Sequence, residues 1–190
     1  MQFDIISYIE GIQRSLERLR PQGRIAFAVW CADALVRDVR EYLAAKTDPA
    51  QLSAVEESLA YLWNCASGHK PTDTVICPLE KACAAVGWAE ENVADNEQAT
   101  NFYAIEAINS LMQALDTCRR GSAVSGAKAA ESMINKLDRQ LSDELVVDSY
   151  TDTIFSHPTM KAELERQQKM LSLLQNTPGL KGEHKTLFRS

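Results

Sequence analysis

The stretch that most constrains the fold is Arg24–Leu43, RIAFAVWCADALVRDVREYL. Ile25, Val29, Ala32, Val36, Val39 and Leu43 recur every three or four residues, which lines one side of a helix with apolar surface. A second stripe of Phe27, Trp30, Cys31 and Ala34 widens that side, so nothing breaks the apolar character before Asp33. A helix apolar on most of its circumference must be surrounded by other helices. From Asp33 onward Arg37, Asp38, Arg40 and Glu41 restore a polar side, and the second half is ordinarily amphipathic. This segment is therefore expected to be the central helix of an all-α fold.

The neighbouring segments supply its surroundings. Phe3, Ile6, Ile9, Ile12, Leu16 and Leu19 keep helical spacing over residues 2–20, and Pro21 with Gly23 should end that helix. Thr47-Asp48-Pro49 reads as a helix stop and start, with Asp48 as N-cap and Pro49 in the first helical position. The next helix carries Leu52, Val55, Leu59, Leu62 and Trp63 and stops at Ser67-Gly68. Short loops between these helices make neighbours antiparallel. Val75 to Val86 suggests a further helix with Pro78 in or near its first turn, followed by a second strongly apolar helix at about 98–119. Gly121 through Gly126 reads as a break before a helix from Ala127 to Leu141. Val146–Phe155, β-branched and aromatic, reads as an extended connector, and Pro158 to about Gln175 as the closing helix. The expectation is one all-α domain over residues 1–176, a bundle of six to seven helices, with a loosely held tail at 177–190.

Composition narrows the function class. With 45% hydrophobic and 24% charged residues the chain is of the soluble globular kind. No apolar run reaches the roughly 18 residues of a membrane span, and the acidic N-terminus lacks a signal-peptide pattern, so a cytoplasmic location is expected. Five cysteines without a CxxC pair read as free thiols in a reducing compartment. A net charge of -6 argues against nucleic acid as a partner, because phosphate binding takes clustered Lys and Arg. The charge is concentrated: residues 79–116 hold Glu80, Glu90, Glu91, Asp95, Glu97, Glu106 and Asp116 against Lys81 alone. Residues 138–152 set Asp138, Asp143, Glu144, Asp148 and Asp152 against Arg139.

No catalytic pattern emerges. His69, His157 and His184 fall in expected loops or the tail, outside any HExxH or ExxH arrangement, and GxGxxG, P-loop and GxSxG motifs are missing. Glu90, Glu91, Asp95 and Glu97 could ligate Mg²⁺, as the acidic helices of all-α nucleotide pyrophosphohydrolases do. Those enzymes place matched acidic pairs on two facing helices, whereas these carboxylates surround one helix end. A solvated acidic edge, or a docking surface for a basic partner, accounts for them better. Trp88, beside Gly87 and that edge, has the make-up of an interface anchor. No cofactor is expected.

Four segments carry a resemblance. AFAVWCADAL (26–35), LSAVEESLAYLW (52–63), EAINSLMQAL (106–115) and AELERQQKMLSLL (162–174) occur in the order of the helices of domain of unknown function family 416, the YjaG-like bacterial proteins. The chain departs from that family after Leu35, where Val36-Arg37-Asp38 stands in place of a proline and an aromatic. The resemblance implies an all-α bundle and supplies no catalytic residues. Related all-helical families include immunity proteins of bacterial toxin systems. The expected function is accordingly a non-catalytic binding protein, an immunity protein that neutralises a basic toxin domain with Trp88, Glu90, Glu91, Asp95 and Glu97. A metal-dependent hydrolase using the same carboxylates and a homodimeric housekeeping protein are the alternatives.

Overall fold

The computed structural model describes residues 3–85, 97–177 and 186–187. Among them there are nine helices and no strand: α1 (Ile5–Glu17), α2 (Pro21–Asp38), α3 (Arg40–Lys46), α4 (Pro49–Ala66), α5 (Asp73–Ala84), α6 (Gln98–Arg120), α7 (Ala123–Leu145), α8 (Asp152–Ser156) and α9 (Pro158–Asn176). The all-α class is as the periodicity predicts. The count exceeds six to seven because α3 and α8 are short pieces that period alone does not separate.

Helix α2 is the centre of the bundle. It packs against α1, α4, α6, α7 and α9. Ala26 through Ala32 are completely buried, and the run of buried residues extends from Ile25 to Val36. Its boundaries differ from the expected 24–43. Pro21 does not merely end α1; it is the first residue of α2, where a missing N–H costs nothing. At the other end Val39 leaves helical geometry with φ -112° and ψ 10°, and α3 restarts at Arg40. The bend keeps Val39 buried and puts Leu43, fully buried, into the core beside α4 and α6.

Local chemistry sets the other boundaries. Asp48 accepts from the Gln51 amide at 2.9 Å while Gln51 Oε1 accepts from the Asp48 amide at 3.3 Å, a reciprocal cap that starts α4. Helix α5 begins at Asp73, so Pro78 lies inside it, just past the first turn. The proline removes the bond to the Thr74 carbonyl, and both residues are exposed, which leaves that carbonyl to water. Gly126, expected in a break, lies within α7. A Cβ there would stand 2.9 Å from Leu16 Cδ1, so the glycine makes room for the α1 side chain against α7. The expected extended connector at 146–155 is partly helical: α8 buries Ile154 and Phe155, and Phe3 stacks on Phe155 at 4.1 Å between centroids.

Two apolar clusters result. The larger joins α1, α2, α4, α5, α6, α7 and α9 around Phe27 and Trp30, and the smaller gathers Ile134, Leu141, Ile154, Phe155 and Met160 where α7, α8 and α9 meet. Cys31, Cys65, Cys83 and Cys118 are buried thiols, and Cys77 is a half-buried one. Burial first, and the adjacent Cys65 second, push the Cys118 thiol far up, which keeps it protonated and inert. In the tail, the buried Trp30 indole donates to the Leu187 carbonyl at 2.9 Å, and Leu187 packs on the larger cluster. No helix among the described residues is long and apolar enough to cross a membrane.

Candidate interaction surface and buried polar junction

Of the sequence-predicted partner residues, Trp88, Glu90, Glu91 and Asp95 lie outside the described residues. Glu97 precedes α6 and forms an ion pair with Lys46 Nζ at 2.8 Å. The other described acids of residues 79–116 are also engaged within the fold. Glu80 pairs with Arg119 at 3.2 Å, and Arg119 also holds Asp73 at 3.0 Å. Asp116 pairs with Arg120 at 2.9 Å and accepts from the Ser125 hydroxyl at 2.6 Å. Glu106 is buried between α6 and α7, where Asn135 Nδ2 donates to it at 3.4 Å. Burial raises the Glu106 carboxyl above its ordinary 4.5. These four acids serve the contacts between helices more than an open face. His157 likewise has a structural task, its Nδ1 accepting from the Thr159 amide at the start of α9.

The second acidic stretch has a different character. Five acids in residues 138–152 share the single Arg139, which pairs with Asp143 at 3.0 Å. After α7 the chain turns through two non-glycine residues in the left-handed region, Val146 with φ 54° and Tyr150 with φ 57°. For a β-branched residue this conformation is a true outlier, and it persists only where the surroundings fix it. At Val146 the amide closes the end of α7 by donating to the Ser142 carbonyl, which also accepts from the Val147 amide at 3.2 Å. At Tyr150 the amide donates to Asp138 Oδ1 at 2.6 Å and the hydroxyl to Asn135 Oδ1 at 2.9 Å. The result is that Val146 is 89% exposed and Tyr150 49% exposed. They stand beside an open groove of about 690 Å³ lined by Asp143, Val146, Val147, Asp148 and Thr151 among others. Exposed apolar and aromatic side chains surrounded by carboxylates, on a loop held rigid, form a surface suited to a basic partner.

A buried polar junction lies where α2, α7 and α9 meet, with α1 behind it. Asp33, Glu163 and Gln167 are buried on otherwise apolar helix faces. Gln167 Nε2 donates to Glu163 Oε1 at 3.1 Å, and the Tyr8 hydroxyl reaches Gln167 Oε1 at 3.2 Å and the Leu164 carbonyl at 3.1 Å. Burial, reinforced by the Glu163 carboxylate, pushes the Tyr8 hydroxyl well up, so it stays a donor. Toward the surface, Arg37 Nε stands 3.1 Å from Asp33 Oδ2, Arg166 Nη1 stands 3.6 Å from Glu163 Oε2, and Lys136 pairs with Asp38. Arg37, Asp38, Lys136, Glu163 and Arg166 border a cavity of about 190 Å³.

Sequence reasoning passed over this junction, although two signals were present. Asp33 and Arg37 stand four residues apart on the most apolar helix, the spacing of an intrahelical ion pair. In α9 the buried stripe Met160, Met170, Leu171, Leu174 takes in Glu163 and Gln167 at the same spacing, polar residues where the period calls for apolar ones. Among the described residues no group of three or more His, Cys, Asp or Glu side chains is arranged to hold a metal ion. Comparison with family models, with curated proteins and with solved structures finds no match to this chain.

Proposed function

We propose that the chain is a non-catalytic binding protein, an immunity protein whose acidic surface occludes the basic active face of a cognate toxin domain. The observation that carries this is the α7–α8 loop: a strained turn that presents Val146 and Tyr150 beside four exposed acids, Asp143, Glu144, Asp148 and Asp152, and one exposed base, Arg139. Apolar anchors ringed by charge supply affinity at the centre and fast, oriented encounter at the rim. Trp88, Glu90, Glu91 and Asp95 form a second acidic element of the same proposal, on sequence grounds. Glu97 belongs to it less, since Lys46 already neutralises it. That pairing also weakens the case for a hydrolase built on these carboxylates.

The test is affinity purification of the tagged chain from its own bacterium, followed by calorimetry with the purified companion. A basic domain binding one to one supports the proposal. Two charge reversals then locate the surface, Asp143→Lys with Glu144→Lys and Asp148→Lys in one variant, and Glu90→Lys with Glu91→Lys and Asp95→Lys in the other. Binding that survives both reversals unchanged would refute an acidic docking surface.

A further inference from the structure

The cavity between α2, α7 and α9 is not accounted for by partner binding. Its mouth carries Arg37 and Arg166, with side chains 39% and 35% exposed. Its walls carry Lys136 and Glu163, with side chains only 11% and 2% exposed. Ala34, Met133 and Leu137 supply apolar lining. Keeping charges in so dry a place costs free energy that apolar side chains of similar volume would avoid. A small concave site with apolar walls and a few convergent charges is the usual form of a small-molecule pocket. At ~30 Å³ per water molecule in the liquid, about 190 Å³ corresponds to about six waters. That suits a molecule of six to nine non-hydrogen atoms.

The charges specify its chemistry. Each cation already faces a carboxylate: Arg37 faces Asp33, Lys136 faces Asp38, and Arg166 faces Glu163. A ligand with one charge would neutralise one member of a pair and strand the other in a low-dielectric wall. A ligand with both charges can exchange with a pair and leave nothing uncompensated. The Arg166–Glu163 separation of 3.6 Å is longer than the 3.1 Å of Arg37–Asp33, and Glu163 Oε1 already accepts from Gln167, so a ligand would approach on the Oε2 side, between Glu163 and Arg166. We propose that this cavity binds a small zwitterion of the size of a short-chain α-amino acid, its carboxylate at Arg37 and Arg166 and its ammonium at Glu163.

The experiment titrates the full chain with L-alanine and L-serine, and with acetate and methylammonium as single-charge probes. Binding is followed by calorimetry and by the methyl NMR signal of Met133. The expected result is a Kd on the order of 1 mM for an amino acid, with acetate and methylammonium each at least roughly tenfold weaker. Arg166→Gln, at a half-exposed position that leaves the fold intact, should weaken alanine binding about tenfold. Equal affinity for acetate and alanine would overturn the zwitterion, as would an unmoved Met133 signal with all four probes. The comparison among probes uses the wild-type chain, so it holds whatever the variant does. A negative result leaves the acidic docking surface untouched, because the two places share no argued residue.

Discussion

Replacing Arg24 tests how the central helix is tied to its neighbours. Its guanidinium spreads over three carbonyls: Nε donates to Leu16 at 2.9 Å, Nη2 to Glu17 at 2.9 Å and Nη1 to Gly121 at 2.7 Å. Leu16 and Glu17 end α1, and Gly121 follows the last residue of α6. One side chain in the first turns of α2 thus satisfies carbonyls at two helix C-termini, where partners are scarce and negative potential gathers. Arg24→Met keeps the aliphatic stem and removes all three bonds. A buried bond from a charged donor contributes about 1.5–3 kcal/mol, and less where water can replace it. Two of these bonds are part-buried and one is exposed, so the loss should be about 2–3 kcal/mol in all. For a chain of this size that lowers Tm by about 5–10 °C. Arg24→Lys retains the charge but cannot span three acceptors, and should lose roughly half as much. Urea and thermal unfolding followed by circular dichroism would measure both. A methionine variant within ~0.5 kcal/mol of wild type would show that the triple contact contributes nothing, and refute the reasoning.

Four further outcomes follow from the backbone and one buried acid. Val146→Gly relieves a left-handed β-branched residue whose side chain is 89% exposed, and should stabilise the fold by about 1 kcal/mol in urea unfolding while weakening partner binding. Gly126→Ala drives a methyl group to 2.9 Å from the fully buried Leu16 and should destabilise by about 1 kcal/mol despite better helix propensity. Gly11→Ala, in open space on α1, should instead stabilise by up to about 1 kcal/mol, and a reversal of this order in matched unfolding curves would contradict the packing. Glu106 has its carboxyl raised by burial, so its ionisation opposes folding at neutral pH and ceases to do so as pH falls through its native value. Glu106→Gln should therefore be more stable than wild type at pH 7, with the advantage fading on acidification; denaturant titrations across that range would show it.

The sequence reveals the fold class because its strongest signal is redundant. The apolar stripe from Ile25 to Leu43 admits only a helix surrounded by helices, and the Asp48–Gln51 cap is local chemistry with a fixed geometry. The bend at Val39 is illegible because Val36, Val39 and Leu43 keep their spacing on either side of it. Helix α8 has five residues, too few for a period to show. Gly126 resembles a breaker until Leu16, distant in the chain, is seen against it. The candidate sites divide in the same way. An acidic run such as 138–152 is visible in one dimension, but the left-handed conformation of Tyr150 is held by Asp138 and Asn135 of α7, twelve and fifteen residues earlier in the chain. The polar junction joins Tyr8, Asp33, Lys136 and Glu163 from four helices, and no linear spacing brings them together.

The most direct measurement is calorimetric titration of the wild-type chain with whatever basic domain affinity purification recovers with it, beside the variant carrying Asp143→Lys, Glu144→Lys and Asp148→Lys. An acidic docking loop predicts tight one-to-one binding by the wild type. The same loop predicts that binding falls steeply toward about 1 M salt, where screening acts within ~3 Å, and is largely lost in the variant. Binding of equal strength in both proteins at low salt would contradict a docking surface at the α7–α8 loop.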